Sequence, residues 1–246
     1  MPTKTLHVPT VDGRADAFAA FPDGGGQYPA VLMYPDGFGP RPVLREMALE
    51  LAGHGYYVLV PNFLYRHGPA PVIPLPEYIG ADTRDAVFAD LMPLIQAHTA
   101  ELAVRDADAY LRFLAAQPET DDGPIAVTGY CIGGLLAVRT AAAHPGRVAA
   151  VAAFHAPVAA GGPELLAELS AAKVYFGHAE SDITPAAHGE LEKALTGVDH
   201  LSEILPGTVH GFTMADTDAF DPAALRHHWD RLLALLGPQV PQASNS

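Results

Sequence analysis

The stretch Gly129-Tyr130-Cys131-Ile132-Gly133-Gly134 follows the apolar run Pro124-Ile125-Ala126-Val127-Thr128. This reads as a strand, a sharp turn and the start of a helix, with the chain's single cysteine at the apex. Glycine two residues before and two after the apex has a steric purpose. A side chain at either place would collide with neighbouring backbone in so tight a turn. The pattern is a nucleophile elbow with Cys in place of the usual Ser. Its geometry aims the backbone N–H of Ile132 toward the place where an oxyanion would form. The plainer alternative is a buried structural cysteine beside a pair of helix-packing glycines.

The rest of the chain alternates strand and helix signals around this turn. Residues 3–8 and 15–21 read as an antiparallel ribbon turning at Asp12-Gly13. Ala30–Tyr34 is a short apolar strand that runs into the Gly-rich loop Asp36-Gly37-Phe38-Gly39. Residues 42–53 show helical spacing, with Leu44, Met47, Ala48 and Leu51 on one face. Tyr56–Val60 is the next buried strand, stopped by Pro61. A long Pro-, Gly- and aromatic-rich loop covers 62–80. Helical signals run from Asp82 to about Gln117, and Pro93 is expected to divide or kink them. The second half of this stretch carries an apolar stripe of Leu102, Ala109, Tyr110, Phe113 and Leu114. After the elbow come strands at 148–154, 173–177 and 201–205, with helices at about 185–195 and 222–236. Buried strands separated by helices predict an α/β fold, a mostly parallel central sheet with helices on both faces. A single domain over 1–236 is expected, with 237–246 as a flexible C-terminal tail. In such a sheet the site lies at the C-terminal ends of the strands.

Composition narrows the function classes. The chain has 14 Lys+Arg against 28 Asp+Glu, a net charge of −14, so it repels nucleic acid and anionic membranes. Met1–Leu6 carries no apolar signal core, and no run is long and apolar enough to span a bilayer. One cysteine cannot form an internal disulfide. Together these features predict a soluble cytoplasmic protein with a reduced thiol.

Three further strand-end segments supply what a cysteine nucleophile needs. Gly177–Pro185 leaves a strand and enters a helix, and Asp182 there is the candidate carboxylate to orient a histidine, with Glu180 as its rival. A helix-terminal charge is the plain reading of Asp182. His210, in Pro206-Gly207-Thr208-Val209-His210-Gly211-Phe212, is the candidate general base. The order Cys131, Asp182, His210 is nucleophile, acid, base. Gly37 is placed to give the second oxyanion N–H. None of the twelve histidines falls into a metal-ligand spacing, so no metal site is expected. His227-His228 reads as helix surface, and His155 and His178 as either pocket wall or satisfied polar residues.

The elbow, the Asp36–Gly39 loop, Pro61-Asn62-Phe63-Leu64-Tyr65-Arg66, the Asp182 turn and His210-Gly211-Phe212 together resemble the dienelactone hydrolase (carboxymethylenebutenolidase) family, from about Thr3 to Leu236. The resemblance implies an α/β-hydrolase fold with no separate lid domain. It also implies a Cys131–His210–Asp182 triad and cleavage of small ester or lactone substrates through an acyl-cysteine, without metal or organic cofactor. The substrate contacts it implies are Asp36, Phe38, Arg66, Tyr130 and Met214. Two departures stand out. The family often has Glu where this chain has Asp36. Its dienelactone-cleaving members hold the substrate carboxylate with two arginines; Arg66 matches the first, and Met214 occupies the place of the second. Arg84 could fold in from the following helix instead. The alternatives are a broad small-molecule esterase or thioesterase, and a non-catalytic binding protein on the same scaffold. Monomer and homodimer both remain open.

Overall fold

The computed structural model describes residues 1–237. Nearly all of the expected C-terminal tail therefore lies outside the described residues. Strands β1 (Thr3–Thr10) and β2 (Gly13–Ala20) form the antiparallel ribbon turning at Val11-Asp12. They are followed by β3 (Ala30–Tyr34), β4 (Tyr57–Pro61), β5 (Ile125–Tyr130), β6 (Val148–Phe154), β7 (Lys173–Ala179) and β8 (His200–Leu205). The eight strands form one sheet in the order β1-β2-β4-β3-β5-β6-β7-β8. β2 pairs antiparallel to β4, and every pairing from β4 through β8 is parallel.

The helices are α1 (Pro42–Gly53), α2 (Ala81–Ala97), α3 (Ala100–Ala115), α4 (Ile132–Ala143), α5 (Gly162–Ala167), α6 (Pro185–Ala194) and α7 (Pro222–Leu236). Strand alternation sends side chains to two separate cores. Val31 and Met33 pack with Leu44, Met47 and Leu51 of α1 and Leu232 of α7. Leu32 and Tyr34 pack on the other face with Tyr110 and Leu114 of α3 and Leu136 of α4. Burial on both faces explains why these strands read as continuous apolar runs.

Two local expectations need correction. Pro93 lies inside α2 and does not end it. Proline removes the bond to the carbonyl four residues back, and that carbonyl belongs to Ala89, on the exposed side of the helix where water can serve it. The break falls at His98-Thr99, where the Thr99 hydroxyl accepts the Leu102 N–H (3.4 Å) and caps α3. The buried apolar residues of α3 are Ala103, Ala107, Ala109, Tyr110, Leu111 and Leu114, while Leu102 and Phe113 are only half-buried. The short helix α5 and the 3-10 turns at 65–67, 158–161 and 168–171 had no sequence expectation.

At the elbow, Cys131 has φ +53° and ψ −126°, a left-handed conformation rarely taken by a residue with a side chain. Backbone closes in on both sides of it. A Cβ at Gly129 would lie 2.1 Å from the Gly133 carbonyl oxygen, and a Cβ at Gly133 would lie 2.1 Å from the Pro35 carbonyl oxygen. Among the described residues no helix is long and apolar enough to cross a membrane.

Gly189 offers a contrast, since it sits in α6 with nothing within 4 Å of an added Cβ. Gly129→Ala is expected to destabilise by about 3 kcal/mol or more, because rigid backbone must move. Gly189→Ala is expected to stabilise by about 0.5–1 kcal/mol through helix propensity. Urea unfolding of the two variants measures both, and equal effects would contradict the close approach.

Candidate active site

The C-terminal ends of β3, β5, β6, β7 and β8 deliver five segments to one edge of the sheet. Cys131 follows β5 directly and caps α4, whose first N–H groups have no acceptor within the helix. His210 lies five residues beyond β8, and Asp182 three beyond β7. His210 Nδ1 and Asp182 Oδ2 are 2.7 Å apart, with side chains 42% and 20% exposed. His210 also lies beside Cys131, the two lining one cavity.

The loops carrying the acid and the histidine are bonded to each other. The His210 N–H donates to Ser181 Oγ (2.9 Å), the Ser181 N–H to the Thr208 carbonyl (3.3 Å), and the Gly207 N–H to Glu180 Oε2 (2.8 Å). Glu180 thus accepts a backbone bond at the loop base, and it is Asp182 that meets the imidazole.

Electrostatics favour a charged His210. Burial alone disfavours the imidazolium. The hydrogen bond and negative charge of Asp182, with the neighbouring Cys131 sulfur, outweigh burial and push the histidine up to about 10. His155, at the end of β6, behaves in the opposite way. It is fully buried, has φ +38°, and its ring centroid lies 5.2 Å from that of His210 in an edge-to-face contact. Burial, then the charges of His210 and His228, hold it well below the usual imidazole value. Its Nε2 is 2.8 Å from Thr213 Oγ1.

A cavity of about 200 Å³ opens beside Cys131. Its walls are Phe38, Phe88, Met214 and Ala219, with Gly37, Asp36, Thr217, His155 and Arg84 completing it. Thus Cys131, His210, Gly37, Asp36, Phe38 and Met214 converge there.

Arg66 and Tyr130 do not line this cavity. The Asp106 carboxylate is 1% exposed, and a buried carboxylate requires a cation. Arg66 supplies it with two bonds (2.7 and 2.8 Å) and turns its Nε–H to Asp12 (2.8 Å). Tyr130 ends β5 with its ring on the opposite face, packed on Phe154, its hydroxyl 3.0 Å from His228 Nε2. His228 is accordingly buried, whereas the sequence reading put it on the surface with His227. His178 is a satisfied polar residue, 3.1 Å from Ser202 Oγ.

Asp36 lines the cavity, but both of its carboxylate oxygens are held by Arg41 (2.6 and 3.0 Å). Sequence reasoning missed Arg41, and it missed the cavity role of Phe88. Both had helix-boundary or helix-face positions without a motif. Arg84 does reach the cavity wall, where it is paired with Asp218. No group of three or more His, Cys, Asp or Glu among the described residues is arranged to hold a metal ion.

Comparison with known proteins agrees with this architecture. A carboxymethylenebutenolidase from Pseudomonas sp. (strain P51) is 34% identical over 131 residues, 53% of this chain and 51% of that protein, so the chain spans about half the length of this relative. A protein of Synechocystis sp. (strain ATCC 27184 / PCC 6803 / Kazusa), provisionally described as a carboxymethylenebutenolidase, is 25% identical over 249 residues, 97% of each chain. A crystal structure from Klebsiella pneumoniae subsp. pneumoniae MGH 78578, provisionally described as a dienelactone hydrolase, superimposes with a TM-score of 0.79 at 21% identity, covering 95% of this chain and 97% of that one. That likeness establishes an α/β-hydrolase architecture. The sequence profile of the dienelactone hydrolase family matches residues 15–240, nearly the whole chain, and the chain belongs to that family.

Proposed function

We propose that this protein hydrolyses small carboxylic esters or lactones through an acyl-cysteine on Cys131. The observation that carries the reading is the 2.7 Å pair of His210 and Asp182, with His210 and Cys131 together lining a largely apolar cavity. The Cys131 thiolate attacks the carbonyl carbon, and the C=O electron pair moves onto oxygen. The N–H groups of Ile132 and Gly37 receive that oxyanion. When the C–O bond breaks, His210 gives its proton to the leaving alkoxide. His210 then takes a proton from water, the hydroxide attacks the acyl-cysteine, and the thiolate leaves. Asp182 fixes the ring's tautomer and supports its positive charge. The charge balance and single cysteine favour a cytoplasmic setting.

The cavity also points to a substrate class. Both guanidinium groups beside it are already paired, Arg41 with Asp36 and Asp216, and Arg84 with Asp218. Met214 offers no charge. A space of about 200 Å³ is a little larger than one known to hold a benzene ring. The acyl part is therefore small, apolar and uncharged.

Cys131→Ala is expected to abolish hydrolysis, and iodoacetamide should remove activity in proportion to labelling at Cys131. Asp182→Asn should lower kcat by about 10³- to 10⁴-fold. Glu180→Gln should cost less than about tenfold, since it loses only a loop hydrogen bond. Full turnover by alkylated protein, or a worse Glu180→Gln, would remove the assignment.

The pH profile follows from His210. Its conjugate acid is the proton donor, so kcat/KM should hold through neutral pH and fall as pH rises through about 10. In Asp182→Asn this alkaline limb should move to lower pH. The same raised value stabilises the fold below the ordinary 6.5, and that contribution is lost as pH rises through about 10. Thermal unfolding from pH 6 to 10.5 in wild type and Asp182→Asn measures the difference.

For specificity, kcat/KM should favour a neutral aryl ester over a dienelactone bearing a free carboxylate. Met214→Arg should shift the ratio toward the anion by about 10- to 150-fold, the worth of one charge-assisted contact of roughly 1.5–3 kcal/mol. A wild-type preference for the anion, unmoved by arginine at 214, would refute the apolar assignment.

A further inference from the structure

Arg41 is 6% exposed and stands immediately before α1. Removing a guanidinium from water costs several kcal/mol, so its partners define what it does. On one side it donates to both oxygens of Asp36 (2.6 and 3.0 Å) and to the Gly39 carbonyl (3.3 Å). On the other it donates Nε–H and Nη2–H to Asp216 (2.6 and 3.0 Å). Asp36 is itself folded onto its own loop. Its Oδ1 accepts the Phe38 N–H (3.1 Å) and its carbonyl accepts the Gly39 N–H (3.0 Å). The Asp36–Gly39 loop is thus pinned at both ends by one guanidinium, with the cavity-lining Gly37 peptide between the pins. Asp216 belongs to the loop that carries His210, and its carbonyl accepts the Ile79 N–H (2.9 Å).

We propose that Arg41 is a positioning residue: by gripping Asp36 and Asp216 at once, it holds the Gly37 N–H in line for the oxyanion formed at Cys131. The inference rests on the hydrolase reading above. An oxyanion donor acts on the transition state and barely on bound ester, so its misalignment lowers kcat and leaves KM. Lysine at 41 keeps the charge but lacks the planar fork that grips two carboxylates.

The test uses Arg41→Lys, with Arg112→Met on the exposed face of α3 as a control that also breaks an arginine–aspartate pair. The substrate is the best neutral ester of wild type. Two inhibitors of matching shape separate the roles. An aldehyde is attacked by the Cys131 thiolate, which forms a C–S bond while the carbonyl oxygen takes the charge and then a proton from His210. The corresponding alcohol binds without an oxyanion. Arg41→Lys should lose about 10- to 100-fold in kcat with KM within about twofold, as a donor displaced by about 1 Å would. Its aldehyde affinity should fall by a similar factor, with alcohol affinity within about twofold of wild type. Near-UV circular dichroism reports the folded fraction, and rates are taken per folded molecule.

Should Arg41→Lys fold poorly, Asp216→Asn loosens the same grip from a side chain only 21% exposed and keeps the Arg41–Asp36 fork. A smaller loss of about 3- to 10-fold is expected there, again confined to kcat and the aldehyde. Unchanged kcat and aldehyde affinity in the folded variant would overturn the proposal. So would equal weakening of aldehyde and alcohol, which would make Arg41 a shaper of the cavity. Persistent activity in Cys131→Ala would instead remove the underlying hydrolase reading, so the two failures are distinct.

Discussion

The site depends on the contact of three backbone segments around Cys131. With no Cβ at Gly129 or Gly133, the end of β5, the start of α4 and the carbonyl of Pro35 pack at distances that side chains would forbid. This contact holds the cysteine in its left-handed conformation and fixes the loop after β3 beside it. Gly37, two residues beyond Pro35, reaches the cavity as a direct consequence. Strain at a functional turn persists only where its surroundings over-determine it, and here the surroundings are main chain on both sides.

Charge at the site is arranged with comparable economy. Two imidazoles meet edge to face, yet only one is built to carry a proton. His210 sits on the rim between Asp182 and Cys131, and these neighbours favour its protonated form over the opposing effect of burial. His155 is fully buried, and the neighbouring positive charge adds to the effect of burial in keeping it neutral. A second cation so close would weaken the attraction that supports the first.

Three arginines show how neighbours decide what a cation does. Arg66 is consumed by the buried Asp106 and by Asp12. Arg84 reaches the cavity but brings Asp218 with it. Arg41 stands behind the wall and joins the Asp36 loop to Asp216, 175 residues further along the chain from the arginine. None presents an unpaired guanidinium to the cavity, which leaves Phe38, Phe88, Met214 and Ala219 to set its character.

The parallel sheet, the elbow at Cys131 and the strand-end locations of Asp182 and His210 are legible in the linear order, because each rests on local chemistry. Apolar runs bounded by turn formers make buried strands, and glycine marks the places where backbone must approach backbone. The continuation of α2 through Pro93 was not legible, since it depends on which side of the helix faces water. Neither were the destinations of long side chains. Arg66 carries the family spacing, and Tyr130 adjoins the cysteine, but each points where a distant partner, Asp106 or His228, draws it. Spacing along a chain determines which turn presents a residue. Only the packed structure decides which carboxylate claims an arginine, because that choice balances burial against charge across segments the sequence does not place together.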